Sequence, residues 1–121
     1  MQETRGLART IVWTEDAERS LHELDQRHPE LRSGLANILA LLQRLADLGR
    51  LRSPEQFRSE GDGFYAIRHR TGLRAYGWWE SNGRFVLSHF ILKKKDALDE
   101  SDRLRMQRNR VAFQPQQEQP P

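Results

Sequence analysis

The chain has 121 residues, 20 Lys and Arg against 17 Asp and Glu for a net charge of +3, and no cysteine. That length supports one domain with a workable core, and the lack of cysteine excludes disulfides and thiolate metal sites. The first residues, MQETRGLART, contain no apolar targeting segment, and the apolar stretch around Ile38 to Leu42 is too short to span a bilayer. A soluble, cytoplasmic protein is expected.

In chain order, residues 1–8 read as a flexible N-terminus. Ile11 and Trp13 alternate with Thr10 and Val12, which predicts a short strand over Arg9–Thr14. Thr14 suits a helix cap, with Glu15 and Asp16 in the positive first turn. Ala17, Leu21 and Leu24 then keep helical spacing to about Arg27. Pro29 suits the first turn of a second helix. Leu31, Leu35, Ile38, Leu39, Leu42, Leu45 and Ala46 give that helix an apolar stripe, and Gly49 is its stop. The two helices form a hairpin with one apolar face toward the core.

Arg52 to Gly63 reads as a polar loop. Three strands follow, roughly Phe64–His69, Leu73–Glu80 and Arg84–Lys93, joined at Arg70-Thr71-Gly72 and at Asn82-Gly83, a strong hairpin signal. A polar helix is predicted over about Ala97–Val111, with Leu104 and Val111 its main apolar residues. The stretch QPQQEQPP reads as disordered, so one domain covers 9–111 and a polar tail 112–121. The order predicts an α+β fold: a small antiparallel β-sheet, mixed at the N-terminal strand, with the helix hairpin on one face and a short C-terminal helix.

The charge is uneven. Residues 1–63 carry 9 Lys/Arg and 11 Asp/Glu, residues 64–95 carry 7 and 1, and residues 96–121 carry 4 and 5, so the net charges are −2, +6 and −1. Positive charge concentrated in the strands suits a polyanionic partner, nucleic acid or an acidic protein, although a solvated Arg-rich surface has the same composition.

Turn lengths set the expected register. A two-residue Asn82-Gly83 turn pairs Trp78 with Leu87, Tyr76 with His89 and Arg74 with Ile91. A three-residue turn at 70–72 sets Arg68 opposite Arg74. One face then collects Arg68, Arg74, Tyr76, Trp78, Leu87, His89 and Lys93; the other collects Ile67, Leu73, Ala75, Val86, Phe90 and Leu92. The second set is a core for the helix hairpin. The first is a basic, aromatic, titratable face open to a ligand. Opposed arginines cost stability, and a phosphate would account for them, because guanidinium grips phosphate oxygens as a bidentate fork.

FYAIRHRTGLRAYGWW, then FVLSHFILKKKDAL, then the polar helix ending RNRV, resembles the RelE/ParE toxin superfamily, with HigB-like and phage-derived toxins the nearest branch. The shared pattern falls at Ile67-Arg68, Leu73-Arg74, Val86 to Phe90 and Lys93-Lys94, over about residues 9–111. The resemblance implies a bacterial or phage type II toxin with a cognate antitoxin, an acidic or helix-turn-helix protein. It implies a ribosome-dependent mRNA endoribonuclease that needs no metal or cofactor, in which a ribose 2′-hydroxyl attacks the adjacent phosphate. A ParE-like gyrase inhibitor that cuts nothing, or an inactive nucleic-acid-binding relative, is the alternative. Carried over by position, Arg68 and Arg74 stabilise the phosphate, His89 exchanges a proton, and Lys93 supplies charge. Arg70, Tyr76, Trp78, Lys94 and Lys95 bind substrate. Some family ribonucleases place Tyr or His near the C-terminus; this chain has neither after His89. His22, His28 and His69 read as surface residues without metal-like spacing, and no Gly-rich phosphate loop or Cys–His pair is present.

Overall fold

The computed structural model describes residues 2–93 and 98–118, with side chains through Phe113 in the last helix. The fold is α+β. The elements are β1 (Glu3–Arg5), β2 (Thr10–Trp13), α1 (Glu15–Arg27), a 3-10 turn (Pro29–Leu31), α2 (Arg32–Leu48), β3 (Phe57–Gly61), β4 (Phe64–Arg68), β5 (Leu73–Trp79), β6 (Phe85–Leu92) and α3 (Glu100–Glu118). The strands form one sheet in the order β1-β2-β6-β5-β4-β3. Only the β2–β6 pair is parallel, so the sheet is mixed at the N-terminal strand as expected.

Local chemistry explains the helix ends. The Thr14 hydroxyl accepts the Ala17 N–H at 3.1 Å, satisfying a donor that the first turn of α1 leaves open. Pro29 opens the 3-10 turn that leads into α2, and Gly49 closes α2 in the left-handed conformation. Ala17, Leu35, Ile38, Leu42, Leu45 and Ala46 bury against Ile11, Trp13, Ile67, Leu73, Ala75 and Phe90 of the sheet. This matches the expected core apart from Val86, whose place Leu87 takes.

Three segments differ from expectation. β1 lies within the stretch expected to be flexible and pairs with β2. β3 lies within the expected polar loop and pairs with β4. The last helix begins later than expected and runs on through the stretch predicted to be tail, as far as Glu118.

The β4–β5 register is the expected one, with Arg68 opposite Arg74. The β5–β6 register is not. Glu80 N–H donates to the Arg84 carbonyl at 2.7 Å and Gly83 N–H to the Glu80 carbonyl at 3.0 Å, so Ser81, Asn82 and Gly83 form a three-residue loop. Trp78 therefore pairs with Val86. A bulge between Tyr76 and Gly77 takes up one extra residue, Ser88, and restores the pairing of Tyr76 with His89. The shift exchanges two side chains: Leu87 joins the α1–α2 core, and Val86 turns to the opposite face. Gly77 allows the close approach, since a Cβ there would collide with the Val86 carbonyl and the Phe85 ring.

The opposite face is not open, and this is the main correction to the expected arrangement. α3 lies across it, with Met106 and Phe113 packing on Val12, Phe64, Ala66, Tyr76, Trp78 and Val86. Leu104 and Val111, expected to be the apolar contacts of this helix, are exposed. Few apolar groups hold α3, and polar ones assist them. Arg105 forms a two-pronged pair with Asp16 at 2.6 and 2.7 Å. Arg103 pairs with Asp62, and the Arg110 guanidinium sits 4.3 Å above the Phe64 ring. Among the described residues no helix is long and apolar enough to cross a membrane.

Candidate anion pocket at the sheet end

Covering one face leaves chemistry to the end of the sheet. There the β4–β5 turn and the end of β6 meet: Lys93 N–H donates to the Gly72 carbonyl at 2.7 Å. Gly72 has φ +97°, and a Cβ at that position would run into the Lys93 carbonyl. Around this junction lies an open pocket of about 610 Å³ lined by Arg68, Arg70, Arg74 and Lys93, together with Glu55, His69, Thr71 and Gly72. Four expected site residues thus share one cavity.

Three of these four cations have a defined support. Arg74 is buried to 6 % exposure, and its Nη1 donates to the carbonyls of His69 and Leu73 at 2.9 and 3.0 Å. Arg68 donates to the Pro54 carbonyl at 3.1 Å. Lys93 Nζ lies 3.0 Å from Asp99 Oδ1 and 3.8 Å from Asp102 Oδ2. Charges anchored this way need little rearrangement to meet an anion.

Three expected site residues lie elsewhere. Tyr76, Trp78 and His89 are 1 %, 2 % and 0 % exposed beneath α3. Tyr76 and Trp78 therefore present no surface to stack on a base, and burial pushes the Tyr76 phenol above its usual range. His89 is closed into a polar network. Its Nε2 lies 3.1 Å from Asp102 Oδ1 and its Nδ1 2.8 Å from Ser88 Oγ. The Asn109 amide donates to the same Ser88 oxygen at 2.8 Å. These contacts are all satisfied by a neutral ring that donates from Nε2 and accepts from Ser88 at Nδ1. Burial holds the His89 pKa below its ordinary value, the Asp102 hydrogen bond opposing it in part. The expectation that His89 meets a ligand is corrected by this burial. Lys94 and Lys95 lie outside the described residues.

Asp16 continues the network, accepting from Asn109 at 2.9 Å. Burial alone would raise its carboxyl, but hydrogen bonds from Arg105 and Asn109 outweigh it and hold the pKa well below the usual carboxylate range. A smaller cavity of about 190 Å³ adjoins this pair.

Sequence reading missed Glu55 and His69. Glu55 sits in the loop before β3, and only the fold brings it to the pocket. His69, expected on the surface, is half-buried there, with Nδ1 2.8 Å from Thr71 Oγ1. Burial, then the charges of Arg70 and Arg74, lower its pKa. The pocket thus combines cationic donors for an anion with the titratable side chains of Glu55 and His69. Among the described residues no group of three or more His, Cys, Asp or Glu could hold a metal ion. No protein-family model, curated protein or solved structure matches the chain.

Proposed function

We propose that this chain is the toxin of a type II toxin–antitoxin pair, with a RelE-like fold, and that it acts as a metal-independent, ribosome-dependent mRNA endoribonuclease. The gathering of Arg68, Arg70, Arg74 and Lys93 around one open pocket carries this reading. A phosphodiester of the messenger would sit there. The anchored Arg74 guanidinium, with Arg68 beside it, would bind the non-bridging oxygens and stabilise the charge that builds as the 2′-hydroxyl attacks. Holding the strand in line for that attack would supply much of the remaining rate. The cognate antitoxin would offer acidic groups to the same pocket.

The test is cleavage of a defined messenger by the purified protein, with and without programmed ribosomes. Cuts within the reading frame that need the ribosome and vanish in Arg74→Ala are expected. Absence of cutting in both conditions would sink the reading.

The burial of His89, Tyr76 and Trp78 favours a second reading, a gyrase inhibitor or an inactive nucleic-acid-binding relative that docks through the basic pocket and cuts nothing. Inhibition of DNA supercoiling by a protein that leaves RNA intact would establish the gyrase form. Nucleic-acid binding without either effect would establish the inactive one.

A further inference from the structure

Thr71 decides what His69 presents to the pocket. The Thr71 backbone N–H donates to His69 Nδ1 at 3.3 Å. The Thr71 hydroxyl oxygen accepts the Leu73 N–H at 3.4 Å and lies 2.8 Å from the same ring nitrogen, to which its own hydrogen can point. A nitrogen that accepts from Thr71 carries the lone pair, so the proton of the neutral ring sits on Nε2. Nε2 has no hydrogen-bond partner among the described residues. The backbone of the same turn fixes the residue in place. His69 N–H donates to the Leu73 carbonyl at 3.0 Å, and its carbonyl accepts from Gly72 N–H at 3.0 Å and from Arg74 Nη1 at 2.9 Å.

The surrounding charge favours this neutral form. Arg68, Arg70, Arg74 and Lys93 line the cavity with His69, and Glu55 is the carboxylate among the lining residues. An imidazolium would be repelled by these cations, with Glu55 alone opposing them. It would also carry a hydrogen on Nδ1, directed against the Thr71 N–H. Burial, then the charges of Arg70 and Arg74, lower the ring's pKa in keeping with this. A neutral N–H adds a hydrogen bond to an oxyanion without adding to the repulsion among the cations.

We propose that His69 is a neutral hydrogen-bond donor to the anion held in this pocket, its Nε2–H meeting a phosphoryl oxygen beside those gripped by Arg74 and Arg68. The ring takes up no proton when the anion binds. The inference rests on the ribonuclease reading above only for the identity of that anion, an RNA phosphodiester. His69 is then a residue that positions the phosphate, and it serves neither as acid nor as base.

The experiment follows the imidazole nitrogens of the ¹⁵N-labelled native chain by NMR at about pH 8, above the ordinary histidine range, while inorganic phosphate is added. At rest Nε2 is expected to carry the hydrogen. With phosphate its resonance should move while Nδ1 stays unprotonated. A hydrogen on Nδ1 at rest, an Nε2 resonance that phosphate leaves unmoved, or a second ring proton gained on binding each overturns the proposal. Calorimetry then compares phosphate affinity in the native chain, His69→Phe and His69→Gln. His69→Phe keeps a ring without the donor and is expected to bind roughly 10- to 100-fold more weakly, the usual contribution of a hydrogen bond to a charged group. His69→Gln restores an amide N–H near the Nε2 position and should recover much of that loss. Native affinity in His69→Phe, or an equal loss in both variants, overturns the proposal. Should either variant fail to fold, the ring nitrogens of the native chain decide.

The two readings fail separately. Ribosome-dependent cleavage beside an unmoved Nε2 removes the donor and leaves the ribonuclease. Phosphate held at Nε2 by a chain that cuts nothing removes the ribonuclease and supports the donor.

Discussion

Asp102 Oδ1 on α3 lies 3.1 Å from His89 Nε2 on β6, and the other oxygen of the same carboxylate lies 3.8 Å from Lys93 Nζ. One side chain therefore ties the covered face of the sheet to the wall of the open pocket.

Asp102→Asn should break that tie. The amide can keep one hydrogen bond to His89, but it withdraws negative charge from two buried partners. A loss of about 1–3 kcal/mol is expected, in line with hydrogen bonds to charged groups. Urea unfolding measures it, and a variant as stable as the native chain would mean that Asp99 alone suffices for Lys93.

Acid should weaken the fold in two stages. The His89 imidazole titrates below its ordinary 6.5 in the folded chain. Between the two values the unfolded state holds more protons, so the His89 contribution is complete above about pH 7 and is lost as pH falls. A full proton of difference gives a slope of about 1.4 kcal/mol per pH unit. The half-buried His69 acts with the same sign. Asp16 acts later, because its folded carboxyl titrates below its ordinary 3.8. Its contribution stands above that value and is lost on further acidification. Unfolding at stepped pH should show His89→Gln flattening the first stage and Arg105→Met the second.

Gly77→Ala should destabilise the chain by roughly 1–3 kcal/mol, the usual cost of overpacking. The added methyl meets the Val86 carbonyl, which is backbone and cannot swing aside, as well as the Phe85 ring. Denaturation midpoints read the effect. An unchanged midpoint would show that the bulge can relax at little cost.

Phe113→Ala should loosen α3 and uncover Trp78, whose ring lies 6.1 Å from Phe113 in an edge-on contact. A loss on the order of 3 kcal/mol is expected for truncating a buried Phe. Tryptophan emission should move to longer wavelength as Trp78 meets water. Unaltered emission would mean that Met106 holds the helix in place by itself.

Much of the first core was legible because its signals are local. Thr14, Gly49 and the Leu35–Ile38–Leu42–Leu45 spacing each state a cap, a stop or a face within a few residues. The opposition of Arg68 and Arg74 was legible too, since a short turn fixes the register. The displaced register beyond Gly77 was not. A bulge inserts one residue without disturbing the apolar pattern, and Asn82-Gly83 suits a two-residue turn as well as the end of a three-residue loop. The cover by α3 was hidden for another reason: Met106 and Phe113 are isolated apolar positions in a charged helix, while the more conspicuous Leu104 and Val111 face solvent. His69 carried no signal of its own. Its place depends on the turn at 70–72 and on the arrival of β6 beside Gly72.

With α1 and α2 covering one side of the sheet and α3 the other, the open cationic pocket falls on a rim built from the segment before β3, the β4–β5 turn and the end of β6. Residues such as Glu55, Arg70 and Thr71 can drift there without disturbing either interior. Substitutions at a few rim positions can therefore alter the charge and shape of that pocket while the folded body stays insulated from the change.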